Sequence, residues 1–176
     1  EGAKTEPNYF RKFPYADVFD VEVVGAGRNT DSLVEEAVRL RDVAERDGVP
    51  FNEVWCVFDR DSFTPQEFNR ARQIALNEHI RPAMTNEAFE LWYLLHFNFH
   101  DAGISRKSYG DRLTVALKQE YRKNMPNAYE LLLALQPNAI RNATTLLRRY
   151  PWWNPEAHNP STNVHLLVLR LNELAE

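Results

Sequence analysis

A compact apolar run, Val54-Trp55-Cys56-Val57-Phe58, ends on Asp59-Arg60-Asp61. An apolar stretch of that length between polar flanks predicts a strand buried on both faces, as in a parallel sheet covered by helices. Upstream, residues 19–24 alternate and are rich in valine, predicting another strand closed by Gly25-Ala26-Gly27. Between the two, Leu33, Val34, Ala37, Val38, Leu40 and Ala44 recur at helical spacing. Thr30 or Asp31 caps that helix, which runs to about Asp47 and stops at Gly48. Thr64-Pro65-Gln66-Glu67 combines a threonine cap, a proline at the first helical position and an acid three residues after the cap, so a helix is expected from there to His79. Residues 80–84 read as a short strand that Pro82 confines to a sheet edge. This alternation from 19 to 84 predicts an α/β fold with a parallel sheet and right-handed crossovers.

The pattern then turns helical. Residues 86–97 form a very apolar helix, followed by helices near 106–123, near 127–150 with a restart or kink at Pro137, and from Ser161 to the end. Asn159 or Ser161 caps the last, whose stripe is Val164, Leu167, Val168 and Leu171. At the other terminus Thr5 is the expected N-cap of a short helix carrying Pro7, Tyr9, Phe10 and Phe13. Two units are expected, a core over 1–100 and a helical region over 101–176 packed on it.

At 176 residues, 44% hydrophobic and 12% aromatic, the chain is long enough to bury a sizeable interior. No apolar run reaches the ~18 residues of a membrane span, so no membrane partner is expected. A net charge of −4 argues against a broadly basic nucleic-acid binder but leaves room for local basic patches around an acidic site. Cys56 is the lone cysteine and lies inside the apolar strand, which suits a buried thiol in a reducing, cytoplasmic compartment.

Candidate chemistry gathers at the end of the 54–58 strand. Side chains alternate across a strand, so Asp59 and Asp61 project to one side and Arg60 to the other. Ligands of open α/β sheets bind at the carboxyl ends of strands, and paired carboxylates there suit a hard divalent cation such as Mg²⁺. Glu90, at the entrance to the apolar helix, needs either a metal or a hydrogen-bond donor, because an unpaired buried charge is costly. Arg28 beside Gly27 is a candidate phosphate contact, whereas Glu87 is expected to be exposed and His96 to be a hydrogen-bonded core residue. Arg122-Lys123 and Arg148-Arg149 are either phosphate contacts or solvated faces, and Trp152-Trp153 either stack on bases or pin their loop to its own domain.

Taken in order, Glu1-Gly2-x-Lys4-Thr5-Glu6, the valine-rich strand with Asn29-Thr30 after it, Phe58-Asp59-Arg60-Asp61, Phe89-Glu90-Leu91-Trp92-x-Leu-Leu-His-Phe and Asn159-Pro160-Ser161-Thr162 resemble the RloB family. That family is similar to Toprim domains, shared by topoisomerases, primases and overcoming-lysogenization-defect nucleases. The resemblance implies a Toprim-like parallel sheet between helices with a C-terminal helical region, and a first strand immediately before Glu1. It implies that Glu1, Asp59 and Asp61 surround Mg²⁺ or Mn²⁺, with Glu90 as a further acid and Lys4 facing the scissile phosphate. Glu1 would orient or deprotonate the attacking water, while Arg28 and Arg60 would meet the substrate. The implied activity is hydrolysis of phosphodiesters in DNA or RNA, transfer RNA included, in bacterial anti-phage defence beside an AAA/ABC-type ATPase partner. The alternative is a non-catalytic nucleic-acid-binding or regulatory subunit that docks on such an ATPase. Neither reading specifies an oligomeric state.

Overall fold

The computed structural model describes residues 4–14, 21–25, 30–60 and 63–175. Its element order is α1 (Thr5–Phe10), α2 (Thr30–Arg46), β1 (Trp55–Asp59), α3 (Pro65–Asn77), β2 (Arg81–Asn86), α4 (Glu90–Leu95), α5 (Arg106–Leu117), α6 (Ala128–Leu132), α7 (Gln136–Arg148), β3 (Ser161–Thr162) and α8 (Val164–Glu173). A 3₁₀ turn at Leu133–Leu135 joins α6 to α7. The protein is a mixed α/β structure whose described residues form an open three-stranded sheet ordered β1-β2-β3. β1 and β2 run parallel with Asp59 opposite Thr85, and β3 adds antiparallel with Thr85 opposite Thr162 and Asn86 opposite Ser161.

Strand alternation sorts the core into two clusters. Cys56, Phe58 and Met84 face α2 and α3, where Leu33, Val34, Phe68, Ala71 and Ala75 are buried. On the other face Trp55, Val57 and Ala83 meet Trp92, Leu95, Ala143, Leu146, Val164 and Val168. Asp59 continues the second series, so it points to the side where α1, α4 and α8 pack. α1 is held there by rings: Tyr9 lies 6.3 Å from Phe89 and 5.6 Å from Tyr93, and Phe13 lies 4.7 Å from Tyr129. Among the described residues no helix is long and apolar enough to cross a membrane.

Several expectations meet the structure closely. Thr64 Oγ1 accepts from the Glu67 N–H at 3.3 Å while Glu67 Oε2 accepts from the Thr64 N–H at 2.9 Å, the reciprocal cap that starts α3. Gly48, at φ +78°, takes up the left-handed turn after α2, and Pro137 lies in the first turn of α7. Cys56 is buried, and burial pushes its thiol up to about 11. The side chains of Thr30 and Asp31, the two candidate caps of α2, lie outside the described residues.

Others are corrected. Residues 21–25 form no strand, and 19–20 lie outside the described residues. The Val23 carbonyl is taken by Arg11, whose Nε and Nη2 donate to it at 3.1 and 2.8 Å. Thr5 does not cap α1; it is buried, and its hydroxyl donates to Asn124 Oδ1 at 2.7 Å. β2 is not an edge strand but the middle of the described sheet. Pro82 is tolerated because the Arg81 N–H faces β1, donating to the Val54 carbonyl at 2.9 Å, so the proline nitrogen faces the opposite side, beyond the two-residue β3. There Asn163 replaces a strand: Oδ1 accepts from the Met84 N–H at 2.5 Å, Nδ2 donates to the Pro82 carbonyl at 2.8 Å, and its own N–H donates to the Met84 carbonyl at 3.1 Å. Ser161 therefore belongs to a strand rather than a helix start, and α8 begins at Val164. The region after residue 100 thus supplies part of the sheet. α5 ends early, at Leu117, where Lys118 adopts φ +55°. Glu87 is half-buried rather than exposed.

Candidate functional site

β1 delivers Asp59 to its carboxyl end, and the turn after β2 brings the start of α4 alongside it. Asp59 Oδ2 accepts from the Phe89 N–H at 3.0 Å, so the aspartate is tied to the backbone one residue before Glu90. From α5, Arg106 Nη2 reaches the same oxygen at 3.2 Å. Glu90 is buried beside this pair, and its Oε1 accepts from the Tyr121 hydroxyl at 3.1 Å. Tyr121 is set by a turn in which its own N–H donates to Thr114 Oγ1 at 3.0 Å. α1 contributes Glu6, also buried, on the face it shares with Tyr9, Phe10 and Phe13.

Electrostatics shows how closely these groups share one environment. Burial raises the Asp59 carboxyl from 3.8 to about 7, with the negative charges of Glu6 and Glu90 pushing the same way and Arg106 and the Phe89 N–H opposing. Burial also raises the Tyr121 and Tyr93 hydroxyls, and both respond to Glu6 and Glu90. Glu6, Asp59 and Glu90 are therefore buried carboxyl groups within electrostatic reach of one another, with Arg106 bonded to Asp59. Carboxylate oxygens suit a hard divalent cation, and added positive charge would relieve their repulsion. Among the described residues no group of three His, Cys, Asp or Glu side chains is placed to hold an ion, and Glu1 and Asp61 lie outside those residues.

The residues singled out from sequence divide clearly. Asp59 and Glu90 are brought together. Glu1, Arg28 and Asp61 lie outside the described residues. Lys4 is exposed just before α1, and Arg60 is half-buried, with its N–H donating to the Thr85 carbonyl at 2.9 Å. Glu90 has the donor its burial demands, in Tyr121. His96 is a buried neutral core residue, its Nδ1 2.9 Å from the Trp92 carbonyl oxygen and its pKa lowered to about 4 by burial. Trp153 packs against the α2–α3 cluster while Trp152 is 89% exposed, so only one of the adjacent tryptophans pins the loop.

Glu6, Arg106 and Tyr121 were not among the candidates. Glu6 had a readable signal, since it stands three, four and seven residues before Tyr9, Phe10 and Phe13 and so falls on the apolar stripe of α1. Arg106 and Tyr121 had none, because their roles depend on contacts 47 and 31 positions away. A cavity of about 510 Å³ between α1, α2, β1 and α8 is lined mainly by apolar side chains, among them Val23, Leu40, Trp55 and Leu171, and is also bordered by Glu6, Glu22, Glu36 and Glu53.

A mixed α/β protein with buried carboxylates at the end of a parallel strand pair is the class that fold and site define. The chain belongs to the RloB-like protein family, whose model matches residues 1–171. No curated protein and no solved structure gives a significant match.

Proposed function

We propose that the protein is a divalent-metal-dependent nuclease built on a Toprim-like scaffold, hydrolysing phosphodiester bonds of DNA or RNA. The observation that carries this reading is the burial of Glu6, Asp59 and Glu90 around one end of the sheet, an acidic concentration that a cation would stabilise. Asp59 and Glu90 are the residues of the described pocket that would hold Mg²⁺ or Mn²⁺, joined from the motif by Asp61 and Glu1. When bound, the metal would polarise the phosphate and lower the cost of forming the nucleophile. The chain's own cations do the rest: Lys4, Arg28 and Arg60 neutralise phosphate charge on the approaching strand. Glu1 accepts the proton of the attacking water. The resemblance to the RloB family supports a cytoplasmic setting in anti-phage defence, with an AAA/ABC-type ATPase directing or restraining cleavage.

The test is incubation of the full-length protein with DNA and RNA panels, transfer RNA included, in Mg²⁺ or Mn²⁺, with and without the neighbouring ATPase. Cleavage by the wild type should fall by ~10²-fold or more in Asp59→Asn. Undiminished cleavage by that variant overturns the site assignment. Absence of cleavage in every condition favours a nucleic-acid-binding or regulatory subunit instead.

A further inference from the structure

The loop over 149–160, which joins α7 to β3, hangs from the carboxyl end of the sheet. Asn86, the last residue of β2, donates through Nδ2 to the Pro155 carbonyl at 2.9 Å and to the Glu156 carbonyl at 3.0 Å. Asp59 ends the neighbouring strand opposite Thr85, so the loop and the buried acids border the same rim. Strand alternation places them on its two sides: Asn86 shares the face of Met84, and Asp59 that of Val57 and Ala83. Within this loop Trp152 is 89% exposed, although the chain is tied on either side of it. Before it, the Tyr150 hydroxyl donates to the Pro160 carbonyl at 3.1 Å, and the Tyr150 ring stacks on His158 with centroids 4.1 Å apart. After it, Trp153 packs on the α2–α3 cluster, and the Asn154 N–H donates to His158 Nδ1 at 3.1 Å. The Asn154 carbonyl accepts from the Ala157 and His158 N–H groups at 3.1 and 3.0 Å. The indole is thus held out from an ordered loop rather than from a fraying end.

Folding normally buries most of an indole, and the other three tryptophans of the chain are buried or half-buried. A protein partner would call for a broader apolar area, whereas no other large hydrophobic side chain of this loop is exposed. The surroundings are cationic instead. Arg148 is exposed in the last turn of α7, at the root of the loop, and Glu156, the only acid between 150 and 160, is turned to Asn154 Nδ2 at 3.2 Å. A flat π-face beside a cation matches a nucleobase and its phosphate. We propose that Trp152 is a stacking platform for an unpaired base of a nucleic-acid strand crossing the carboxyl rim of the sheet, with Arg148 meeting the backbone beside it. The ligand is single-stranded DNA or RNA, or a base left unpaired in a loop or bulge. This rests on the nucleic-acid part of the reading above, which its nuclease and binding-subunit forms share, and requires no particular metal geometry.

The experiment compares full-length wild type, Trp152→Ala and Trp152→Phe for binding of fluorescein-labelled oligonucleotides in Ca²⁺. The probes are single-stranded DNA, single-stranded RNA, duplex DNA and a DNA strand of abasic sites. Trp152→Ala should bind the single strands about five- to a hundredfold more weakly, with Trp152→Phe within about threefold of wild type. The duplex and the abasic strand offer no free base face and should change by about twofold at most. Equal binding of single strands by wild type and Trp152→Ala overturns the proposal and leaves the nuclease reading, tested by Asp59→Asn, standing. An equal loss on every probe, the abasic strand included, overturns it as well, because stacking cannot explain it. Failure of the wild type to bind any probe removes both. Loss of ATPase binding in Trp152→Ala with oligonucleotide binding intact overturns it in favour of a protein interface. In the wild type a saturating single strand should also protect the exposed indole from acrylamide quenching, and unchanged quenching overturns the proposal whatever the variants do.

Discussion

Along one flank of β2, Asn163 meets three backbone groups of the strand with its carboxamide and its own N–H, and the Thr85 and Thr162 hydroxyls lie 2.9 Å apart beside it. At the carboxyl ends of β1 and β2, Asp59, Glu90 and Glu6 are buried just as deeply, but they are carboxyl groups, and negative charge on Glu6 and Glu90 disfavours ionisation of Asp59. The first region is neutral, and both ends of the Asn163 carboxamide are bonded. The second keeps the desolvation cost of several carboxylates and softens it with an arginine and a phenol from elsewhere in the chain. Neutral networks of this kind fix a fold, whereas under-neutralised acids weaken it and are retained for what they can bind.

The contrast breaks most visibly at Asn163. Asn163→Ala removes the carboxamide from the Met84 N–H and the Pro82 carbonyl and should destabilise the protein by about 2–4 kcal/mol, read from urea denaturation. The acidic end should respond in the opposite direction. A carboxyl raised from 3.8 to about 7 by folding keeps a proton that the unfolded chain has released, so stability falls as pH rises between those values and stays low above them. Asp59→Asn should therefore be more stable than wild type by about 1–3 kcal/mol near pH 8 without metal, with the advantage shrinking towards pH 4. Saturating Mn²⁺ should reverse that order, since only the wild type gains binding energy, about 2.7 kcal/mol at a hundredfold excess over Kd. Melting curves at the two pH values, with and without the ion, test both statements. The smallest effect is expected at Tyr121→Phe, which takes one hydrogen bond from Glu90 and should cost about 1 kcal/mol. A larger loss there would mean that the phenol, rather than the arginine, is the main support of the acidic end.

Local signals were strongest where partners lie close in sequence. The Thr64-Glu67 cap, the break at Gly48, the helix restart at Pro137 and the buried Cys56 strand all rest on neighbours within a few positions. The errors have a common cause in distant partners. Pro82 pointed to an edge because nothing near it in the chain announces that Asn163 will take the place of a neighbouring strand. Thr5 looked like a cap because its acceptor, Asn124, is 119 residues away. The site was half legible for the same reason: Asp59 and Glu90 end or begin elements with recognisable patterns, while Arg106 and Tyr121 matter only through the fold. Glu6 could have been found from periodicity, since a charge on an aromatic stripe is as unusual as a charge in a strand.

Asn163 and Met84 are 79 positions apart, yet one grips the other at the middle of the sheet. During synthesis β2 leaves the ribosome long before the residue that completes its flank. Arg106 and Tyr121 emerge in that interval, and the sheet beneath Asp59 gains β3 only after them. A nascent chain halted anywhere short of residue 163 would present its acids on an unfinished platform, so the acidic end is assembled only after Asn163 has been made.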